Sequence, residues 1–137
     1  MAAWFGTLEL VTNNKAEMVD VTKRVRAEVK ASGIQNGICL VTSTHTTGGL
    51  TLNENTDPSV RADILSALEH AVPANAAWYV HKEDNSHAHV QASLTGFSVT
   101  LPVQGGKLVL GTWQAIYLFE HRARPHRREI VLHLMGE

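Results

Sequence analysis

The sequence predicts an α+β fold in which two to three helices pack on a mostly antiparallel β-sheet or sandwich. One observation is the C-terminal part, where short runs alternate apolar and polar residues and are joined by tight turns. The other is a pair of earlier segments with apolar residues at helical spacing between good capping residues. The 137 residues contain no repeat or linker-like run, so we expect one domain over residues 1–137.

The N-terminal part predicts a strand, a helix and a second strand. Apolar and polar residues alternate over residues 4–11, and Asp20 is placed to cap a helix that ends at Gly33. A nearly continuous β-branched apolar run over residues 38–43 predicts a buried strand. The apolar stripe of the helix consists of Val21, Val25 and Val29.

A second helix is predicted by Asp57 as the N-cap and Pro58 at the first helical position, with Pro73 at its end. Residues 77–81 predict a strand. Ser86 is placed to cap a short helix that runs to residue 94 and closes at Gly96. The stripe of the second helix consists of Val60, Ile64 and Leu68.

The C-terminal part predicts strands with short connections. Clear alternation over residues 97–103 is followed by a Gly-Gly turn at residues 104–107. Further strands are predicted over residues 108–110, 114–120 and 128–135. Short connections between consecutive strands favour antiparallel pairing.

The composition excludes several classes of protein. Lys and Arg number 12 and Asp and Glu 13, so no overall field predicts a nucleic-acid or membrane partner. Cys39 is the only cysteine, which excludes a disulfide framework and a multi-cysteine zinc module. Charged residues make up 18%, below the usual value of about 25%, which indicates that a partner subunit covers part of the surface. We find no long apolar span and no leader-like start, and we expect a cytoplasmic protein.

The densest polar stretch follows the strand predicted to end at residue 43. Such a stretch suits an anion such as phosphate, with His45 as a metal ligand or an acid–base group. The alternative is a Thr-rich turn that satisfies only its own backbone. The stretch supplies four hydroxyls, one imidazole and two glycines that let a ligand approach the backbone: Ser43, Thr44, His45, Thr46, Thr47, Gly48 and Gly49.

Two further groups of residues carry side chains suited to catalysis or ligand binding. Glu54 and Asn55 precede the N-cap Asp57, and Glu54 lies three residues before that cap. His87 and His89 would share a face on a strand, but on the predicted helix they diverge by about 200°, so we expect one of them in a site. We expect His87 to be the exposed and uninvolved one. The first turn of that helix would present free N–H groups to an anion.

The strand predicted over residues 114–120 carries Gln114 and Glu120 at the two ends of an apolar face, and Trp113 before it is typical of a core or an interface. The basic run that follows holds four arginines in residues 121–128. Its place at a hairpin tip predicts a solvated turn, with binding of phosphate or of a neighbouring chain's carboxylates as the alternative. It lacks interleaved aromatic residues, which argues against nucleic acid.

Several enzyme classes lack their sequence motifs. The chain contains no P-loop or Rossmann glycine pattern, no H-E-x-x-H and no G-x-S-x-G. Cys39 lies inside an apolar strand, which predicts a small core side chain rather than a nucleophile.

Three separated motifs resemble the YjbQ-like family of small bacterial and archaeal proteins, a family also named secondary thiamine-phosphate synthase. The motifs occupy residues 44–60, 88–96 and 111–117, in that order, and the resemblance covers nearly the whole chain. It implies an α+β fold assembled as a homotrimer, with sites near subunit boundaries. It also implies a low thiamine-phosphate synthase activity.

The resemblance also implies which residues form the site. Family members often carry a lysine where this chain has Gln91, two positions after His89, so a phosphate contact made by that lysine would be missing here. The family's polar positions fall on His45, Thr46, Thr47, Glu54, Asn55, Asp57, Asn85, His89, Trp113, Gln114 and Glu120.

The first functional hypothesis is an enzyme that joins a hydroxymethylpyrimidine diphosphate to a thiazole phosphate and releases diphosphate. Residues 44–49 would contact phosphate. His45 and His89 would bind a divalent metal ion, zinc or magnesium, or transfer protons, with Glu54 or Asp57 as carboxylate partner. The alternatives are a non-catalytic trimer that binds a small phosphorylated metabolite or a metal, and a metal-dependent hydrolase of such a metabolite.

Overall fold

The computed structural model describes residues 1–13 and 15–137 and confirms the α+β class. The elements follow one another as β1 (Ala2–Val11), β2 (Glu17–Asp20), α1 (Thr22–Ser32), β3 (Asn36–Ser43), β4 (Gly48–Glu54), α2 (Pro58–Ala71), α3 (Ser86–Thr95), β5 (Ser98–Gln104), β6 (Lys107–Leu108), β7 (Gln114–Glu120) and β8 (Arg127–Gly136).

The strands form two antiparallel sheets. The larger sheet has five strands in the order β1-β8-β3-β5-β6, and the smaller has three in the order β2-β7-β4. In the smaller sheet, Glu120 at the end of β7 lies opposite Gly48 on one side and Glu17 on the other. The end of the central strand therefore meets the start of both neighbours.

The core has two parts, one on each face of the smaller sheet. The main part lies between the inner face of the five-stranded sheet, α1 and one face of β7, which contributes Ile116 and Leu118. The opposite face of β7 contributes Tyr117 and Phe119, which pack with half-buried side chains of α2. The strand β7 is therefore buried on both faces and lies at the centre of the smaller sheet.

Several predicted elements are confirmed by the structure. The strand over residues 114–120 has the predicted bounds, and its two faces contribute to the two parts of the core. Asp57 caps α2 by accepting a hydrogen bond from the Ser59 N–H at 2.9 Å. Gly33 ends α1 with a φ of 70°, a left-handed conformation that glycine adopts at little cost.

Other predicted elements are wrong. Residues 77–81 form no strand, although Trp78 and Val80 are strand-forming residues, and both side chains are exposed. The strands β2 and β4 were not predicted, because their short or polar, glycine-containing sequences resemble turns. The predicted Ser86 cap is also wrong, since Asn85 precedes α3. The predicted Asp20 cap is confirmed, because the Asp20 carboxylate accepts a hydrogen bond from the N–H of Thr22, the first residue of α1, at 2.9 Å.

A close backbone contact brings α3 against β4. A Cβ atom added to Gly49 would overlap the carbonyl oxygen of Gly96, the residue that ends α3. The N–H of Leu50 donates to the same oxygen at 3.2 Å. Glycine at position 49 is therefore required for the helix to approach the sheet. No helix in the described part of the chain is both long and apolar enough to cross a membrane.

Candidate functional site

A buried ion pair lies where the two sheets meet at the end of β7. The Glu120 side chain is fully buried and that of Arg128 is 4% exposed. The Arg128 guanidinium binds both carboxylate oxygens, with Nη2 at 2.8 Å from Oε1 and Nε at 2.5 Å from Oε2. Its Nη2 also donates to the Thr47 hydroxyl at 2.9 Å. The pair thus joins β7, β8 and the loop before β4.

This arrangement corrects the expectation for the basic run. Residues 121–128 were predicted to form a solvated turn, but His121 and Arg128 are buried. Arg128 has the same strand parity as Ile130 and Leu132, which also point into the core. That parity was the sequence signal for an inward arginine.

The loop over residues 44–47 is fixed by three hydrogen bonds. The Ser43 hydroxyl donates to the Gly48 carbonyl at 2.7 Å and accepts from the His45 N–H at 3.2 Å. The His121 N–H donates to the Thr47 carbonyl at 3.2 Å. Thr44 and Thr46 remain exposed between these anchors. The loop can therefore present two hydroxyls from a fixed backbone.

The half-buried His45 imidazole has a defined tautomer. The backbone N–H of Glu129 donates to its Nε2 at 2.8 Å. Since that nitrogen accepts, the neutral ring carries its proton on Nδ1. Burial, together with the positive charge of Arg128, lowers the pKa of His45 below its ordinary value. At neutral pH His45 is an uncharged hydrogen-bond donor beside the hydroxyls of the loop.

His121 connects β7 to α3. Its Nδ1 lies 3.1 Å from Gln91 Oε1, and its Nε2 lies 3.0 Å from the Thr95 hydroxyl. The Gln91 amide nitrogen donates to the Val72 carbonyl at 3.0 Å, so both amide atoms of Gln91 have partners inside the protein. Burial, and secondarily the charge of Arg128, lower the pKa of His121 to about 4.

His87 and His89 both lie in the first turns of α3, but their side chains have different surroundings. His89 lies beside the His81 ring, with the centroids 5.4 Å apart, whereas His87 lines a cavity together with Gln91. His87 is half-buried, so the expectation that it is exposed is wrong. Asn85 is buried at the N-cap, and its Oδ1 has no hydrogen-bond partner among the described residues.

The remaining predicted site residues lie at the opposite end of the smaller sheet. The strand β4 runs seven residues from Gly48 to Glu54, about 20 Å at roughly 3.3 Å a residue. Glu54 and Asp57 therefore do not reach His45 within one chain. Asn55 and Gln114 line an open cleft of about 610 Å³, where the Asn55 amide donates to Asp20 at 3.2 Å. Trp113 beside this cleft is 59% exposed.

The side chains in the described part of this chain do not fit the divalent ion expected from the sequence. His45 has no free lone pair, because Nε2 accepts from Glu129 and Nδ1 carries the proton. No hydrogen bond or ring contact joins His45 to His89 in residues 1–13 and 15–137. The same residues contain no group of three or more His, Cys, Asp and Glu side chains arranged around a common point. We therefore assign no reaction step to a metal.

Comparison with known proteins agrees with this architecture. The family model for UPF0047 protein YjbQ-like matches residues 6–137. The chain belongs to the YjbQ-like family. A UPF0047 protein of Methanocaldococcus jannaschii is 41% identical over 130 residues, covering 94% of this chain and 92% of that protein. YugU of Bacillus subtilis is 38% identical over 130 residues, covering 95% and 98%.

Solved structures of YjbQ-like proteins have the same fold. A protein of unknown function from Sulfolobus solfataricus P2 superposes with a TM-score of 0.94 at 35% identity and covers 99% of both chains. A conserved protein from Clostridium acetobutylicum has a TM-score of 0.91 at 41% identity, covering 94% of this chain and 98% of its own. Membership of the family therefore agrees with the fold, whereas it assigns no function to the site.

Removing one partner of the buried ion pair should destabilise the protein strongly. Arg128→Met leaves the Glu120 carboxylate buried and unpaired, which we expect to lower the free energy of unfolding by about 3–5 kcal/mol in urea denaturation. Glu120→Leu combined with Arg128→Met removes both charges and should be less damaging than Arg128→Met alone. The neighbouring Arg127, whose side chain is 77% exposed, is the control, and equal losses in Arg127→Met and Arg128→Met would contradict the assignment.

His121 should make stability depend on pH below neutrality. Its pKa is about 4 in the folded chain against an ordinary 6.5, so the unfolded chain binds the proton first. Stability is therefore complete above about pH 6.5 and is lost as the pH falls to about 4, by about 3 kcal/mol at 1.36 kcal/mol per pKa unit. Urea denaturation across this range should show a shallower slope for His121→Gln than for the wild type. His70→Gln, at an exposed position, should keep the wild-type slope.

Proposed function

We propose that this protein binds a small phosphorylated metabolite at the loop over residues 44–47 and acts as a transferase of the thiamine-phosphate-synthase type. It would join a hydroxymethylpyrimidine diphosphate to a thiazole phosphate and release diphosphate. The observation that supports this is His45, which is neutral and carries its proton on Nδ1 beside the exposed hydroxyls of Thr44 and Thr46. These are uncharged donors in a fixed arrangement, as a phosphate or diphosphate requires.

The chemistry of the transfer suits donors of this kind. The bond between the pyrimidine methylene carbon and the diphosphate oxygen breaks, and a bond forms from that carbon to the thiazole nitrogen. That nitrogen attacks with its own lone pair and carries no proton to be removed. Negative charge grows on the departing diphosphate, so the main task of the protein is to stabilise that charge. His45 and the hydroxyls of the loop would do so by hydrogen bonding.

A rigid support behind the donors adds to the argument. Thr47 Oγ1 accepts from Arg128, so its own proton remains free to be donated. Because Arg128 is itself held by both oxygens of Glu120, the loop does not need to reorganise as charge develops. The alternative of a metal-dependent hydrolase is not favoured, since His45 has no lone pair free for a metal and the described residues hold no group of three or more His, Cys, Asp and Glu side chains around a common point.

We further propose that the site is completed by two more copies of this chain in a homotrimer. The outer face of the five-stranded sheet is uncovered and carries exposed apolar side chains, with Phe5 68%, Ile38 54% and Met135 55% exposed. The peptide N–H that fixes His45 belongs to Glu129 in β8, a strand of the same sheet. A neighbour packed on this face would lie near the candidate phosphate loop.

The oligomeric state can be tested by light scattering. The wild-type protein should have three times the chain mass of 15.0 kDa. Ile38→Glu places a charge in the apolar face and should shift the mass towards that of the monomer, because burying an unpaired carboxylate is costly. Ala27→Glu adds the same charge on the exposed side of α1 and should leave the trimer intact. A wild-type monomer would remove the proposal of a shared site.

His45 should decide the affinity for diphosphate. In isothermal titration with inorganic diphosphate, His45→Ala should weaken binding by at least about tenfold, as expected for a lost hydrogen bond to a charged group. Formation of thiamine phosphate from the two precursors should fall by at least the same factor. His70→Ala changes an exposed histidine of α2 and should leave both unchanged.

The two measurements separate the remaining alternatives. Diphosphate binding that depends on His45, without turnover of the precursors, would support the non-catalytic binding protein over the transferase. Diphosphate binding that is identical in His45→Ala and the wild type would contradict the location of the site.

A further inference from the structure

We propose that the cavity between α2 and α3 is a second binding site, for a small uncharged planar nitrogen heterocycle, with the His87 imidazole as its hydrogen-bonding partner. The cavity has a volume of about 320 Å³, enough for one or two rings. It contains none of the residues assigned to phosphate binding, so it stands independently of the proposed function.

The walls of the cavity are mostly apolar. Leu65 and Leu68 of α2 and Val72 after it line one side, and Ala74 and Ala123 lie at the edge. Apolar walls of this kind bury the faces of a ring and give no compensation for a lost hydration shell. The only cationic and acidic side chains in the lining, Lys15 and Glu69, are of opposite sign and are both exposed. A charged ligand therefore gains little here.

Among the polar groups in the wall, His87 is the one that remains free. Both ring nitrogens of His121 and both amide atoms of Gln91 already have partners inside the protein. The Nδ1 atom of His87 is buried and has no hydrogen-bond partner in the part of the chain that the structure describes. A buried polar atom without a partner is costly. A turn of the half-buried ring about its Cβ–Cγ bond would bring this nitrogen to the cavity, where a ligand with one hydrogen-bonding group would satisfy it.

The ionisation of the imidazoles agrees with an uncharged ligand. Burial lowers the pKa of His87 and holds that of His121 at about 4, so both rings are neutral at pH 7.5. His121 stacks on Phe119, with the centroids 4.3 Å apart, and is only 1% exposed, so it closes the inner end of the cavity as a fixed wall. A planar heterocycle can bury its faces against the leucine side chains of α2 while its nitrogen is directed towards His87.

The test uses 4-aminopyrimidine as the probe at pH 7.5, where it is uncharged. Isothermal titration should show saturable binding of one molecule per chain. Spectra of protein labelled with ¹⁵N in histidine should show a shift of the His87 ring nitrogen. Pyrimidine-4-carboxylate, of similar shape but charged, should bind at least tenfold more weakly. Absence of saturable binding at millimolar probe, or equal binding of the carboxylate, would overturn the proposal.

Matched variants locate the site. Ala74→Trp fills the cavity from its exposed edge and should weaken binding at least tenfold, while Ala67→Trp, an exposed position of α2 outside the lining, should not. Ala123→Trp is a second blocking variant should Ala74→Trp not fold, as judged by circular dichroism. His87→Ala should weaken binding at least fivefold and His70→Ala should not. Wild-type affinity in the folded blocking variants or in His87→Ala would show that the probe binds elsewhere.

Discussion

The buried ion pair between Glu120 and Arg128 is the contact on which the candidate site depends. It joins the two sheets, since Glu120 ends the central strand of the smaller sheet and Arg128 lies in β8 of the larger one. Charges buried in this way cost several kcal/mol each unless their hydrogen bonds are satisfied, and here both carboxylate oxygens are bound by the guanidinium. The pair then fixes the loop through Thr47, and the next peptide, at Glu129, fixes the tautomer of His45.

The same strand end also determines the shape of the cavity. His121 follows Glu120 directly, its backbone N–H donates to the loop at Thr47, and its ring contacts Gln91 and Thr95 of α3. A displacement of the end of β7 would therefore move the loop and the helix together. Because α3 also approaches β4 through the contact of Gly49 with Gly96, the C-terminal half of the helix is held against both β4 and the end of β7. The loop over residues 44–47 and the cavity, which we propose as two separate sites, are therefore both supported by the end of β7.

Local sequence patterns predicted the elements that are stabilised by interactions within a few residues. The bounds of β7, the Asp57 cap of α2 and the glycine that ends α1 follow from alternation, capping and a positive φ, which act over a few residues. The strand β4 was missed because its pairing with β7 depends on residues about sixty positions away. Residues 77–81 show the converse error, since strand-forming side chains form no strand where no neighbour is available to pair.

Sequence analysis predicted several residues of the candidate site but not how they are arranged in space. Sequence analysis identified His45, Thr47 and Glu120, which the structure brings to one end of the smaller sheet, and Asn55 and Gln114, which it places at the other. It missed Arg128, although strand parity places that residue with Ile130 and Leu132 on the inward face. Glu120 likewise has the same strand parity as Ile116 and Leu118, which are buried in the core. A charged residue that shares a strand face with buried apolar residues is itself expected to be buried, and a buried charge requires a partner of opposite sign. Two strands that each carry such a residue, one acidic and one basic, therefore predict an ion pair between their sheets before the register of the strands is known.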